Sequence, residues 1–368
     1  MLERGRISCI QTIYLLTNLV GATAVMYLPA LVAKTAGRDF WLVPVLSMLP
    51  GLYIVLVVTS LGKRFPGRNI FQCLQDILGK WPGKIMLFLY LLFFFHTNGL
   101  IITEFSGLMS STVMPNTPQL IFSVLVLLVC AQAVWGGLEV LARTFEILAV
   151  VIISFLILVL FLAVDDINIQ NLFPVMERGV APVIKASLAP VAWQGEVVLL
   201  GAFLPYLSNP DRGFRCAAAS VVALMFILMS NAILVTTVMS APIVAGTTYP
   251  TYEMIRYIGG MELRYDAIII AYWFAGLFGK ISLFYYSTVL CGAQLMGLRN
   301  YRPLVIPFGA VLAAASMYQV RNSVQLAKYI AGVWPYIAYI FEYVIPTAIL
   351  ALAVLLKRKG GEAKANSE

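Results

Sequence analysis

Charge is scarce in this sequence. Only 11% of its 368 residues are charged, against about a quarter in a soluble domain. Histidine is nearly absent, and the five cysteines form no closely spaced pair. One histidine without cysteine partners cannot build a metal centre, so His96 reads as a satisfied interior or interface residue, and no metal is expected. The P-loop, H-E-x-x-H and G-x-S-x-G patterns are missing, and Asp165 and Asp166 adjoin in a loop and point apart. Neither an enzyme nor a cofactor is therefore expected. No basic patch interleaved with aromatics accompanies the net charge of +8, so nucleic acid is not an expected partner. No small-residue cleavage site follows the first apolar run, which is expected to stay in place as a span.

What the chain has instead is hydrophobicity, at 61% of residues. The apolar residues fall in runs of about 20, each long enough to cross a bilayer as a helix. β-Barrel strands alternate over roughly 10-residue segments, and this chain does not. The pattern predicts an all-α integral membrane protein with ten spans, at 9–35, 40–62, 84–112, 118–136, 141–163, 187–207, 214–240, 266–297, 302–319 and 332–357. An even number of spans puts both termini on one side. That side collects Arg4, Arg6, Lys63, Arg64, Arg68, Lys80, Lys84 and the basic tail, whereas the other side holds fewer basic residues, such as Lys34, Arg38 and Arg178. The positive-inside rule then assigns both termini to the cytosol. Cys9, Cys73, Cys130, Cys216 and Cys291 all fall in or near cytosolic segments. A reducing compartment keeps thiols free, so no disulfide is expected.

Two loops contain short amphipathic segments. In residues 69–81, Ile70, Phe71, Leu74, Ile77, Leu78 and Trp81 share one face, the pattern of a helix lying on a surface. Residues 250–259 form a shorter counterpart, with Pro250 at a tolerated first-turn position. These loops follow spans two and seven, and so they mark an internal repeat. Residues 1–163 would hold five helices, 164–357 five more, and 358–368 a cytosolic tail. With an odd number of spans per half, the halves are antiparallel, an inverted repeat of the kind found in secondary transporters.

That arrangement predicts a break near mid-bilayer in the first and sixth spans. Gly21-Ala22-Thr23 and Trp193-Gln194-Gly195-Glu196 occupy those positions. Freed N–H groups there would hold a carboxylate and freed carbonyls an ammonium, matching a zwitterionic amino acid. The competing reading is that the two glycines only allow close helix packing. Three ionisable residues stand out within spans: Glu104, Glu196 and Lys280. By helix rise, Glu104 lies roughly 16 Å from Pro115 and Lys280 roughly 21 Å from Asp266, depths at which the two could pair. Thr97 and Glu104 share one helix face, and Lys280 and Ser287 share another, so these stripes are read as interior polar or gating residues. The competing reading is a buried pair that fixes packing alone, and the residues leave both readings open.

Local motifs in order along the chain carry a resemblance. They are Gly5-Arg6-Ile7-Ser8 with Gln11, Leu28-Pro29-Ala30, Ala36-Gly37-Arg38-Asp39-Phe40-Trp41 and Arg64-Phe65-Pro66-Gly67. Further on come Leu78-Gly79-Lys80 with Gly83-Lys84, Gly137-Leu138-Glu139-Val140 with Arg143, Tyr249-Pro250-Thr251 with Glu253, and Arg264 with Asp266. The chain resembles the B subunit of spore germinant receptors, in the amino acid–polyamine–organocation superfamily. The resemblance implies an amino acid permease or LeuT-like fold in the inner membrane of a bacterial endospore. It implies a small nutrient ligand, often an amino acid, and two protein partners: a larger A subunit and a lipoprotein C subunit. The superfamily ligand site maps onto Gly21, Ala22, Thr23, Trp193, Gln194, Gly195 and Glu196. Two other readings stand beside a receptor subunit: a working amino acid or amine permease, and a water or ion conduit or assembly subunit without its own ligand.

Overall fold

The computed structural model describes residue 3 and residues 5–259, 266–318 and 323–359. Arg4, Arg264, Arg321 and most of the predicted tail 358–368 lie outside them. Every regular element among the described residues is helical, apart from an isolated bridge between Ile7 and Leu207. The elements are α1 (Cys9–Ala36), α2 (Val43–Arg64), α3 (Ile70–Leu78), α4 (Lys80–Leu108), α5 (Gln119–Gly136), α6 (Leu138–Leu162), α7 (Ala181–Gly195) and α8 (Leu200–Phe203). There follow α9 (Gly213–Met239), α10 (Ala241–Gly246), α11 (Pro250–Gly259), α12 (Asp266–Leu295), α13 (Val305–Tyr318), α14 (Ser323–Gly332), α15 (Trp334–Tyr339) and α16 (Ile345–Leu355).

Among the described residues, eight helical stretches are long and apolar enough to cross a membrane, and the first of them holds both α1 and α2. Together with the shorter apolar stretch around α13, that makes the ten expected passes. The short helices α3 and α11 stand after spans two and seven, where the amphipathic patterns place them. On α3, Ile70, Phe71, Leu74 and Ile77 are buried, but Trp81 begins α4 and is exposed.

Several of the sequence motifs turn out to be structural fasteners. Ser8 and Gln11 form a capping box that starts α1: the Gln11 amide donates to Ser8 Oγ (3.1 Å), and the Ser8 amide to Gln11 Oε1 (2.9 Å). Gly37 ends α1 with a φ of +61°, which a side chain would resist. Asp39 accepts the Met176 amide at 2.8 Å and so ties down the loop before span six. Thr251, next to Pro250, donates to the Val25 carbonyl at 2.8 Å and so locks α11 onto α1.

One end of the bundle gathers both ends of the chain. Ile7 exchanges backbone bonds with Tyr206 (3.0 Å) and Ser208 (2.9 Å), and the neighbouring Leu204 lies against Gly62 of α2. Arg64 donates to the Arg358 carbonyl (2.7 Å), and Arg358 to the carbonyl of Asp76 (2.9 Å). At the same end Cys9 and Cys216 are joined as a disulfide across α1 and α9, Cα–Cα 5.4 Å. This corrects the expectation of five free thiols; compartment chemistry says nothing about which helix ends pack together.

The centre of the bundle is α1 and α12. Between helices in lipid, packing and polar contacts replace the hydrophobic drive. Accordingly, Gly276 and Gly279 of α12 face Asn18 of α1, Gly276 approaches Ala22, and Gly279 sits under Phe145 of α6. Asn18 closes the contact by donating to the Gly276 carbonyl at 2.8 Å. α6 lies outermost, with Ile147, Val150, Ile157 and Phe161 exposed.

Two expectations about helix breaks meet different outcomes. The sixth span is interrupted: α7 stops at Gly195, Glu196–Leu199 tightens into a 3-10 turn, and α8 resumes at Leu200. The first span is not: α1 runs unbroken through Gly21-Ala22-Thr23, which corrects the expected break there. Its backbone carbonyls are instead approached from the side. The Trp273 indole donates to Ala22 O (2.8 Å), and Asn231 to Val25 O (3.2 Å). A further interruption was not expected: α15 and α16 are separated by a widened, π-helical turn at Ile340–Val344.

Candidate ligand-binding site

Four ionisable side chains meet in the interior. Lys280 reaches from α12 to Glu196, where the sixth span tightens, with Nζ–Oε1 at 2.8 Å and both side chains 1% exposed. Its ammonium also donates to Thr23 Oγ1 of α1 at 2.7 Å. Thr23 Oγ1 further accepts the Trp193 indole N–H at 3.1 Å. One threonine hydroxyl thus ties α1 to α7 and α12. The Trp193 ring packs on Trp334, centroids 4.9 Å apart.

These residues surround a cavity of about 20 Å³, lined also by Thr97, Leu100, Ile101 and Glu104 of α4 and by Ile330 and Trp334. That is room for about one water molecule. Polar groups on its wall lack partners: Thr97 Oγ1 and Glu104 Oε2 are buried without a hydrogen bond. The depth argument put Glu104 and Lys280 together, and both do line this cavity. The lysine's direct partner, however, is Glu196. Helix rise fixes depth but not which neighbour a long side chain meets, and the tightened turn carries Glu196 to the ammonium.

The other nominated residues are placed as follows. Gly21 and Ala22 line a separate, mostly apolar cavity of about 170 Å³, walled also by α6, α9 and α12. Gln194 is buried against Gly51 of α2, away from the polar cavity, with its amide unpartnered. Gly195 faces span ten, where a methyl group would collide with the carboxylate of Glu342 and the ring of Tyr343. Ser287 bonds its own helix at the Leu283 carbonyl (2.9 Å) and stays clear of the cavity. His96 shares a 2.8 Å hydrogen bond with Tyr329.

Glu342 is the residue that sequence reasoning missed. It is fully buried in the widened turn of span ten, and neither carboxylate oxygen has a hydrogen-bond partner. Its signal was present: it is an acid inside the apolar run 332–357, and the rule that singled out Glu104, Glu196 and Lys280 applies to it equally. Lys280 is the one buried cation among the described residues, beside three buried glutamates. Removing each ion from water costs several kcal/mol, so buried charges are expected to be paired, as Lys280 and Glu196 are.

The comparisons with known proteins agree with this architecture. The family model described as spore germination protein matches residues 6–324. Spore germination protein KB of Bacillus subtilis is 26% identical over 376 residues, spanning 99% of this chain and 100% of its own. Spore germination protein YndE of the same organism is 22% identical, over 97% of this chain and 98% of its own. Spore germination protein XB of Bacillus anthracis is 24% identical, over 72% and 76%. Among solved structures, the chain is similar to Mhp1, a nucleobase-cation-symport-1 family transporter in a closed conformation with bromovinylhydantoin bound. The TM-score is 0.69 at 14% identity, covering 96% of this chain and 79% of Mhp1. At that identity the likeness speaks for the fold, which is a transporter fold of the amino acid permease, LeuT-like kind. The family match extends over nearly the whole chain, and this chain belongs to the spore germination protein family.

Proposed function

We propose that this protein is the transporter-like subunit of a spore germinant receptor, binding a small nutrient, an amino acid, and passing the event to partner subunits. The observation that carries the reading is the buried cluster of Lys280, Glu196, Thr23 and Glu104 at the break in the sixth span of a transporter fold. Such a cluster offers both signs of charge to a zwitterion in a site shielded from water. With room for about one water, the cavity must widen to admit an amino acid. That requirement suits a switch: a ligand that fits only the widened form shifts the population towards it. The partners would be the larger A subunit and the lipoprotein C subunit, in the spore inner membrane, with both termini in the cytosol. The inverted repeat would divide the chain into residues 1–163 and 164–357.

A second reading, a working amino acid permease, is favoured by the fold shared with Mhp1. Uptake of a labelled amino acid panel into liposomes holding the purified protein separates the two. Binding that saturates near one ligand per protein, without accumulation and lost in Lys280→Met, is the expected outcome. Accumulation far beyond that, abolished in Glu196→Gln, makes the protein a permease. An amino acid response in receptor-assembled spores that survives Lys280→Met overturns the site.

A further inference from the structure

The cluster is out of electrical balance. Lys280 is engaged by Glu196, which leaves Glu104 and Glu342, among the described residues, without a buried basic group in direct contact. A carboxylate buried alone is strongly disfavoured, so each of the two must hold a proton or meet a cation. Their surroundings tell them apart. Glu342 is pressed against the backbone of Gly195, where even one added carbon would clash, and it takes no part in the cavity wall. Glu104 instead faces the cavity, and its Oε2 has no hydrogen-bond partner.

A second observation points the same way. Thr97, two turns earlier on α4, lines the same cavity and is 1% exposed, and its hydroxyl oxygen has no partner. A carboxylate and a hydroxyl oxygen, both unpartnered, flank a space of about 20 Å³. One net negative charge on oxygen donors is balanced by a single monovalent cation, whereas a divalent one would leave an excess positive charge buried. Lys280, Glu196 and Thr23 line the same cavity, but the ammonium makes its direct contacts to Glu196 and Thr23, so the two carboxylates on the wall outnumber the one ammonium.

We propose that Glu104 and Thr97 form a subsite for one monovalent cation the size of an ammonium group, contributed by the nutrient's own amine or by a free alkali or ammonium ion. The proposal rests on the ligand site described above and assigns its positive pole. Glu196, the acid nominated from the break in span six, is occupied by Lys280 and holds the site's resident cation instead. A ligand without a positive charge would then leave Glu104 uncompensated.

The test titrates the purified protein in nanodiscs with potassium chloride, ammonium chloride, ethylamine hydrochloride and choline chloride at constant ionic strength. Trp193 and Trp334 line the cavity, so tryptophan fluorescence reports occupancy, and the thermal unfolding midpoint provides a second readout. A saturable response is expected to a small cation and not to choline, whose N-methyl groups hold its charge away from the Glu104 carboxylate and leave it no N–H to donate. Glu104→Gln is expected to weaken it by roughly tenfold or more, the loss of one charge-assisted contact. Thr97→Val weakens it less, and Ser287→Ala leaves it unchanged. Saturation by potassium or ammonium identifies a free ion as the source, whereas saturation by ethylamine alone identifies the ligand's amine. Equal responses to choline and potassium, no response to any small cation, or an undiminished response in Glu104→Gln overturn the subsite. Where ethylamine alone saturates the site, amino acid binding unaffected by Glu104→Gln also overturns it, while leaving the nutrient reading standing. Cation binding with no amino acid response from assembled receptors does the reverse.

Discussion

Lys280 ties together three helical segments of the interior. Its ammonium joins α12 to the tightened turn of the sixth span through Glu196, and to α1 through Thr23. Its removal leaves Glu196 buried and unpaired. Lys280→Met is expected to cost about 3–5 kcal/mol, the penalty of an orphaned buried charge. Lys280→Met combined with Glu196→Gln should recover most of that loss, because two neutral side chains need no counter-charge. Denaturant unfolding of both variants in nanodiscs checks this; a double variant as unstable as the single one refutes it. The sequence pointed to Lys280, Glu196 and Glu104 because an ionisable group in an apolar run needs a partner. It did not reveal the pairing, since three carboxyl groups compete for one ammonium and only their angular positions around the helices decide among them.

At the scale of elements, periodicity read amphipathic faces well and read interruptions less well. The face of α3 was legible because an apolar stripe repeats every turn. Its end was not, since Gly79, at a φ of +90°, separates Trp81 from α3 and hands it to α4. α3 sits so close to α4 that a side chain at Gly83 would press on the backbone of Gln75. Cys73 lies on the buried face of α3, where burial pushes its thiol up to about 12. At neutral pH the thiol therefore stays protonated, and the reactive thiolate becomes abundant only as pH rises towards that value. Maleimide should label Cys73 poorly in the native protein, and Gly83→Leu should increase labelling by lifting α3. Fast labelling of Cys73 in the wild type would show that α3 does not stay docked. Gly21 and Gly195 show why glycine alone does not predict a break. Gly195 ends α7 where Glu342 needs its space, whereas Gly21 stays helical and lets α1 pack beside Leu224 of α9.

For the whole molecule, Glu3, Ile7 and Arg358 share one end of the bundle through contacts with Tyr301, Tyr206 and Asp76. Tags placed at both termini should therefore be accessible from the same face of sealed vesicles. Tags accessible from opposite faces would rule out an even number of passes. The positive-inside rule would make that face the cytosolic one, and protease protection in oriented vesicles tests it. Peptide mapping without reductant is expected to find Cys9 linked to Cys216; two free thiols there would restore the reading from compartment chemistry.

The membrane class, the number of passes, the amphipathic connectors and the family motifs were all legible from residue order alone. Each of these depends on residue type and spacing along one chain, and a bilayer filters spacing strictly. It took the packed helices to show that Lys280 answers Glu196, that Glu342 presses on Gly195, that Gly21 faces a different cavity from Thr23, and that α1 stays whole. These are matters of which helix turns which face to which neighbour. That choice is made by packing among ten passes at once, and no local pattern records it.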